Sequence, residues 1–454
     1  MTDDNIQLAK FLDNYKYIID SDGQKVKLND PRVMHIWALD ANEHAGKMIA
    51  NAFRKRGWKA MYRGKTTNET LQYARNLISG RECIPFAAVA GATYRDIMER
   101  RLENEISVYY HFDQEGPCQN GAWPLIWETF GKRLGKKNIV YCAYPHIKNN
   151  YIGGQFFAIR LVTAFILGAL LEEAEMVLKV LAKDKESAMK LFQEESNKVI
   201  ESTNRSLLAI ELSLKKWAKA LAAIPLKNEV KRTPKVLLFG GGNVFSVHYP
   251  VSEYFIGQGV IPKVIDTTEF VLFVESEPVI RYGVRRGILD PQKQYKLSSI
   301  LVSLFNPKNK FIEGFLALRS MGNILGIDYS QRRHRKIAEK SGLLYDAHVS
   351  FIETIVEAHK YISVNDFCET PANTGKFLAS QKTNVYDGYI NLGSFNCQPA
   401  MNTQALLRTI SGKYNVPYAS LDCEGPNISA NQRRILETIA VQAKRLREEK
   451  NNGM

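Results

Sequence analysis

The 454-residue chain predicts an α/β protein in which two lobes, each built on a parallel β-sheet, are joined by a helical layer. Three observations predict this class. From Val33 the pattern runs strand, helix, strand, with Gly57 as the helix stop, which is a β-α-β unit. Between about 154 and 224 breakers are few and apolar residues recur at three- and four-residue spacing, as in Leu170, Ala174, Val177 and Leu181, then Leu207, Ile210, Leu214, Trp217 and Leu221. At Pro234 a second strand-turn-helix-strand pattern begins. The length also exceeds what one hydrophobic core usually serves.

Residues 1–30 form an N-terminal extension. The first α/β lobe, 31–150, holds a strand at 33–39, a helix over 47–55 and a strand opening at Trp58. A further helix, 69–78, stops at Ser79-Gly80 and delivers Cys83, and 138–144 reads as another buried strand. The connecting helical region is 151–232, and its apolar stretch 161–171 lies between Arg160 and Glu172. It falls well short of the roughly 20 residues of a membrane span, so it reads as a buried helix.

The second lobe, 233–454, opens with a strand at 236–239 and the turn Gly240-Gly241-Gly242-Asn243, followed by a helix near 251–257 and a strand at 260–265. The triple glycine has neither the Gly-x-Gly-x-x-Gly spacing nor the Lys-Ser/Thr ending of a phosphate loop, so it reads as a tight strand-to-helix turn. The lobe closes with a strand at 388–392, Cys397, a helix over 400–410, a strand at 417–421, Cys423 and a long C-terminal helix. Two cysteines thus follow strand ends, where open α/β sheets place ligands.

Apolar and charged fractions of 45% and 24% suit a soluble globular chain. The start, Met1-Thr2-Asp3-Asp4-Asn5, lacks the basic and apolar regions of a secretory signal, so a cytoplasmic setting is expected. There the six cysteines point to metal binding, catalysis or burial rather than disulfides. The net charge of +14 has no nucleic-acid motif beside it, and neither nucleic acid nor membrane is an expected partner. The densest basic run, Arg332-Arg333-His334-Arg335-Lys336, reads as a solvated helix face.

Three cysteines stand in distinctive contexts: Gly80-Arg81-Glu82-Cys83-Ile84-Pro85, Gly116-Pro117-Cys118-Gln119-Asn120-Gly121 and Ser394-Phe395-Asn396-Cys397-Gln398-Pro399. In the first and third, a proline two residues on suits the first helical turn, so each thiol is expected at a helix N-terminus. Free N–H groups and a partial positive charge there favour thiolate and an anionic iron–sulfur cluster. The second lies between glycines in an expected loop, where backbone approaches an inorganic centre closely. The competing reading is that each is a small buried hydrophobe.

With these blocks in this order, the chain resembles the 2-hydroxyacyl-CoA dehydratase superfamily, including the double-cubane-cluster proteins and the cluster-binding part of large CoA-enzyme activase proteins. The resemblance rests on Ser79 through Phe86, on Gly116-Pro117-Cys118, on Pro234-Lys235-Val236, and on Asp387-Gly388-Tyr389 leading to Phe395-Asn396-Cys397-Gln398-Pro399. Two departures stand out: Gln398 follows Cys397 where Met or Leu is commoner, and Asp422-Cys423 falls where many fused relatives carry tyrosine.

The resemblance implies Rossmann-like lobes with a cluster in the cleft between them, in a homodimer reduced by a separate iron–sulfur ATPase activator. It implies Cys83, Cys118 and Cys397 as ligands of a 4Fe-4S cluster whose fourth iron lacks protein sulfur and stays open. Cys142, Cys368 and Cys423 complete the six thiolates that an 8Fe-9S double cubane requires. Glu82 and Glu115 adjoin expected ligands and are candidates for moving protons, or else cap a helix or pair with arginine. Arg281, Arg285 and Arg286 are candidates for the phosphates of a coenzyme A thioester or for the activator's acidic face, or else are solvated. The implied function is an iron–sulfur reductase component acting on a small molecule or an acyl-CoA. The alternatives are a 2-hydroxyacyl-CoA dehydratase subunit and a metal-free scaffold binding coenzyme A or an activator.

Overall fold

The computed structural model describes residues 7–12, 15–40, 42–111, 118–143, 152–285, 311–363, 368–394, 397–423 and 425–453. Two parallel four-stranded sheets carry the molecule, each flanked by helices, as the sequence predicts. The extension adds a small antiparallel sheet, β1 (Lys10–Phe11), β2 (Tyr17–Ile19) and β3 (Lys25–Lys27).

In the first lobe the chain runs through β4 (Val33–Trp37), α1 (Glu43–Lys55), β5 (Lys59–Tyr62), α2 (Asn68–Ala74), α3 (Ile84–Glu99), β6 (Ile106–His111), α4 (Trp123–Leu134) and β7 (Ile139–Ala143). The sheet order is β5-β4-β6-β7, so the chain reverses its direction of travel between β4 and β6. Strand β6 is central and buried at every position, the continuous pattern of a strand covered on both faces. Its six residues carry no alternation and escaped the sequence reading.

The connecting region resolves into three helices, α5 (Gln155–Leu181), α6 (Lys185–Ser202) and α7 (Leu207–Leu221). Helix α5 contains the apolar stretch 161–171 and is buried almost all round, packing on α1 of one lobe and on the sheet of the other. Among the described residues no helix is long and apolar enough to cross a membrane.

The second lobe holds β8 (Lys235–Phe239), α8 (Gly242–Gly257), β9 (Ile261–Val264), α9 (Thr267–Arg285), α10 (Phe311–Ala338), α11 (Phe351–Ala358), α12 (Thr370–Gln381), β10 (Gly388–Ser394), α13 (Gln398–Ile410), β11 (Tyr418–Cys423) and α14 (Ala430–Asn452). Its sheet order, β11-β10-β8-β9, places the reversal between β8 and β10. The last strand pairing is pinned from outside. The buried Asp387 carboxylate accepts from the Lys235 backbone N–H and from Arg447 Nε, both at 2.9 Å, and from Lys450 Nζ at 3.0 Å.

One charge reading is corrected. Of the basic run 332–336, Arg332 and Lys336 are exposed, but His334 and Arg335 are buried. Arg335 reaches Glu173 of α5 at 2.7 Å, and Glu173 also accepts from the backbone of Tyr345 and Asp346 at 2.7 and 2.8 Å. A helix wedged between two layers has no purely solvated face, so part of the run became an internal anchor.

Candidate functional site

The candidate site is built from the carboxyl ends of strands in both sheets. After β6 comes Cys118, after β8 the glycine turn, and after β10 Cys397; these strands flank the two reversal points, where α/β sheets open a crevice. Cys83 is the N-cap of α3 with Pro85 in the first turn, and Cys397 is the N-cap of α13 with Pro399 likewise placed, as the proline spacing predicts. Cys118, expected in a loop, caps a one-turn 3-10 helix, Gln119–Ala122. Gln119 ties the first two segments together: its Oε1 accepts the Cys83 backbone N–H at 2.9 Å, and its Nε2 donates to the Arg81 carbonyl at 3.3 Å.

Cys83, Cys118 and Cys397 act on one another electrostatically, although 314 positions separate Cys83 from Cys397. Cys83 and Cys397 are buried and Cys118 is half-buried. Burial pushes the Cys83 thiol up to about 12, and the neighbouring Cys397 and Glu369 push the same way against the Phe86 backbone N–H. Burial also pushes Cys118 up, followed by Glu369, Cys83 and Cys397. The helix N-termini therefore do not by themselves make these groups thiolates, because loss of water outweighs the backbone N–H bonds. A bound cation would reverse that balance.

Glu369, which the sequence reading missed, is the fourth member of this group. It precedes α12, is 6% exposed, and its Oε1 accepts the Gly242 backbone N–H at 3.0 Å. Burial raises its carboxyl to about 7 against that single bond. Two of the three turn glycines are required by close approaches. Gly240, at φ 147°, lies so close to β10 that an added Cβ would come 1.9 Å from the Leu392 carbonyl oxygen. Gly241, at φ 62°, would put a Cβ 2.6 Å from Glu369 Oε2, and its N–H donates to Asn373 at 2.9 Å. The available signal was Cys368-Glu369-Thr370-Pro371, a carboxylate just before a proline in a helix's first turn.

The remaining sequence candidates are distributed unevenly. Cys368 is fully buried, with Sγ 2.9 Å from the Thr370 hydroxyl, which in turn donates to the Pro399 carbonyl in the first turn of α13 at 3.3 Å. Cys142 lies inside β7, where burial alone raises its thiol. Cys423 ends β11 and is pushed up to about 12 by burial and then by Asp422, with no thiol contributing. Glu82 is engaged in the turn before Cys83, accepting from the Ser79 and Arg81 backbone N–H groups and the Ser79 hydroxyl at 2.9–3.1 Å. Partial burial opposes its ionisation, yet the bonds from Ser79 and Arg81 win and hold it below the usual carboxylate range. Arg281 and Arg285 fall in the closing turns of α9, while Glu115 and Arg286 lie outside the described residues.

An open cleft of about 520 Å³ runs between the lobes, lined by Glu82 and Ile84 on either side of Cys83 in the chain. Arg75, Ser79, Arg81 and Ile84 line it from one side, and Ser394 and Cys423 from the other. A hydrogen bond joins the lobes farther along α8, where Tyr249 donates to buried Asp40 at 3.0 Å while the Thr66 N–H donates to its other oxygen at 2.7 Å. Burial raises Asp40 to about 7 against those bonds.

Among the described residues no three or more His, Cys, Asp or Glu side chains close on one point that a single metal ion would occupy. A multi-iron cluster asks for a wider arrangement, because each thiolate bonds a different iron. No protein-family model matches the chain, and no curated protein matches it either.

Proposed function

We propose that this chain is the electron-accepting component of a two-protein iron–sulfur system. Cys83, Cys118 and Cys397 hold one 4Fe-4S cluster with one iron left without a thiolate, a separate ATP-hydrolysing iron–sulfur protein supplies electrons, and the substrate is a small molecule or an acyl-CoA. The observation that supports this reading is that three thiols from three separate segments act on one another's charge, two of them following strands beside the reversal points. The N-termini of α3 and α13 would turn N–H groups toward such an anionic cluster, and Gln119 fixes two of the segments relative to each other. When bound, such a cluster transfers single electrons and offers its open iron to a ligand. The chain's own part is to exclude water, orient the thiols and admit substrate by the inter-lobe cleft. In the acyl-CoA case, Arg281, Arg285 and Arg286 are the cations assigned to the coenzyme A phosphates, and the working unit is a cytoplasmic homodimer.

A second reading, dehydration of a 2-hydroxyacyl-CoA, gains from one feature. Cys142 and Cys423 feel none of the other thiols, so a single open cluster suits the site better than a six-thiolate double cubane. Iron and acid-labile sulfide in anaerobically purified protein test the proposal. About four of each per chain are expected, lost in Cys83→Ala, Cys118→Ala and Cys397→Ala and retained in Cys142→Ala. About eight irons would replace the single cluster with a double cubane. No iron after anaerobic reconstitution would overturn both and leave a metal-free scaffold. Substrate turnover with an ATP-driven activator then separates reductase from dehydratase.

A further inference from the structure

We infer that Glu369 is the protein's own ligand to the iron that the three thiolates leave open, occupying that position until substrate displaces it. The inference rests on the cluster reading above and adds a residue to it that the resemblance does not supply.

Four observations carry it. Glu369 directly precedes Thr370, whose hydroxyl donates to the Pro399 carbonyl in the first turn of the helix that Cys397 caps, and its charge acts on both Cys83 and Cys118. It is a buried carboxyl on which no lysine or arginine among the described residues acts. Without a cation burial holds it as a neutral acid up to about 7, and an iron bound beside it would convert it to a carboxylate ligand. Its two oxygens also differ: Oε1 is fixed by the Gly242 N–H at the start of α8, whereas Oε2 has no hydrogen-bond donor among the described residues. Finally, glycine at 241 keeps clear the space beside Oε2, where any side chain would collide with it at 2.6 Å. One oxygen is thus anchored and the other left for a further partner, the usual division in a ligating carboxylate with outer-shell support.

Carboxylate oxygen is a weaker partner for cluster iron than thiolate, which suits a site that must exchange its ligand for substrate. Cys368, one residue earlier, is directed instead to the Thr370 hydroxyl and the first turn of α13.

The test compares anaerobically loaded wild-type protein with Glu369→Gln and Glu369→Cys, using Mössbauer and electron paramagnetic resonance spectra and the rate at which a chelator converts the four-iron to a three-iron cluster. Losing an outer-shell partner commonly weakens metal binding about 10–100-fold, so losing a ligand should speed conversion by at least about tenfold. Glu369→Gln is expected to keep about four irons per chain, to change the signal of one iron and to convert faster. Glu369→Cys is expected to convert more slowly than wild type and to show the spectrum of a four-thiolate cluster. Spectra and conversion rates unchanged in both variants, at full iron content, would overturn the assignment of Glu369 while leaving the three-thiolate cluster intact. Wild-type protein that takes up no iron would overturn the cluster reading itself.

Discussion

Replacing the three turn glycines one at a time by alanine should give a graded series, and the middle one probes the site. At Gly242, the first residue of α8, an added Cβ would lie 3.4 Å from Glu369 Oε1, ordinary contact in a helical conformation. Alanine there is expected to be neutral or to stabilise by up to about 1 kcal/mol through helix propensity. At Gly241 the backbone stands at φ 62°, ψ −145°, a region essentially restricted to glycine, where a side chain costs about 1–3 kcal/mol. The new methyl would also drive Glu369 from its Gly242 bond, adding about 0.5–1.5 kcal/mol. Gly241→Ala should therefore cost roughly 2–4 kcal/mol, lowering the melting midpoint of the second lobe by about 5–15 °C. At Gly240 the collision is with backbone of β10 and cannot be relieved by a rotamer, so Gly240→Ala should separate β8 from β10 and fail to fold. Thermal unfolding of the metal-free protein by near-ultraviolet circular dichroism reads all three. Gly241→Ala melting together with Gly242→Ala would refute the packing of Glu369 against this turn.

The Asp40 bridge should make stability depend on pH. Folded Asp40 keeps its proton up to about pH 7 while the unfolded chain loses it near 4, so its contribution declines as pH rises between those values. Asp40→Asn, neutral at every pH, is expected to melt near wild type at pH 5, where Asp40 is itself protonated, and to gain on wild type by pH 8; a gap constant over that range would refute it. Buried His35 and His248, held down to about 4 and about 3 by burial, act oppositely, since the unfolded chain takes up their protons below about pH 6.5. Asp387→Ala should cost about 3–5 kcal/mol by stranding Arg447, whereas Arg445→Ala, which breaks an exposed pair, should cost under about 0.5 kcal/mol; comparable losses on urea unfolding would contradict the burial argument. Gln119→Ala should leave the metal-free fold within about 1.5 kcal/mol of wild type yet release cluster iron to a chelator about tenfold faster, and an unchanged release rate would remove its positioning role.

Local pattern was enough wherever one segment carried its own signal. The β-α-β start at Val33, the helical region, the glycine turn before α8 and the helix N-termini at Cys83 and Cys397 all follow from periodicity and from proline and glycine stereochemistry. Strand β6 was illegible because Ile106-Ser107-Val108-Tyr109-Tyr110-His111 mixes apolar and polar residues without a sustained period of two, and its place at the sheet centre is decided by pairing with β4 and β7. Arg335 could not be separated from its exposed neighbours until α5 supplied Glu173.

The site divides along the same line. Sequence by itself determined that Cys83 and Cys397 would stand at helix N-termini, since that needs only residues within a few positions of each other. Tertiary structure alone decided which of the six thiols meet, that Glu369 joins them, and that burial keeps Cys83 and Cys118 protonated in the metal-free chain. The physical reason is range. Backbone preferences act over a turn, whereas desolvation and charge interactions depend on what hundreds of intervening residues bring within reach.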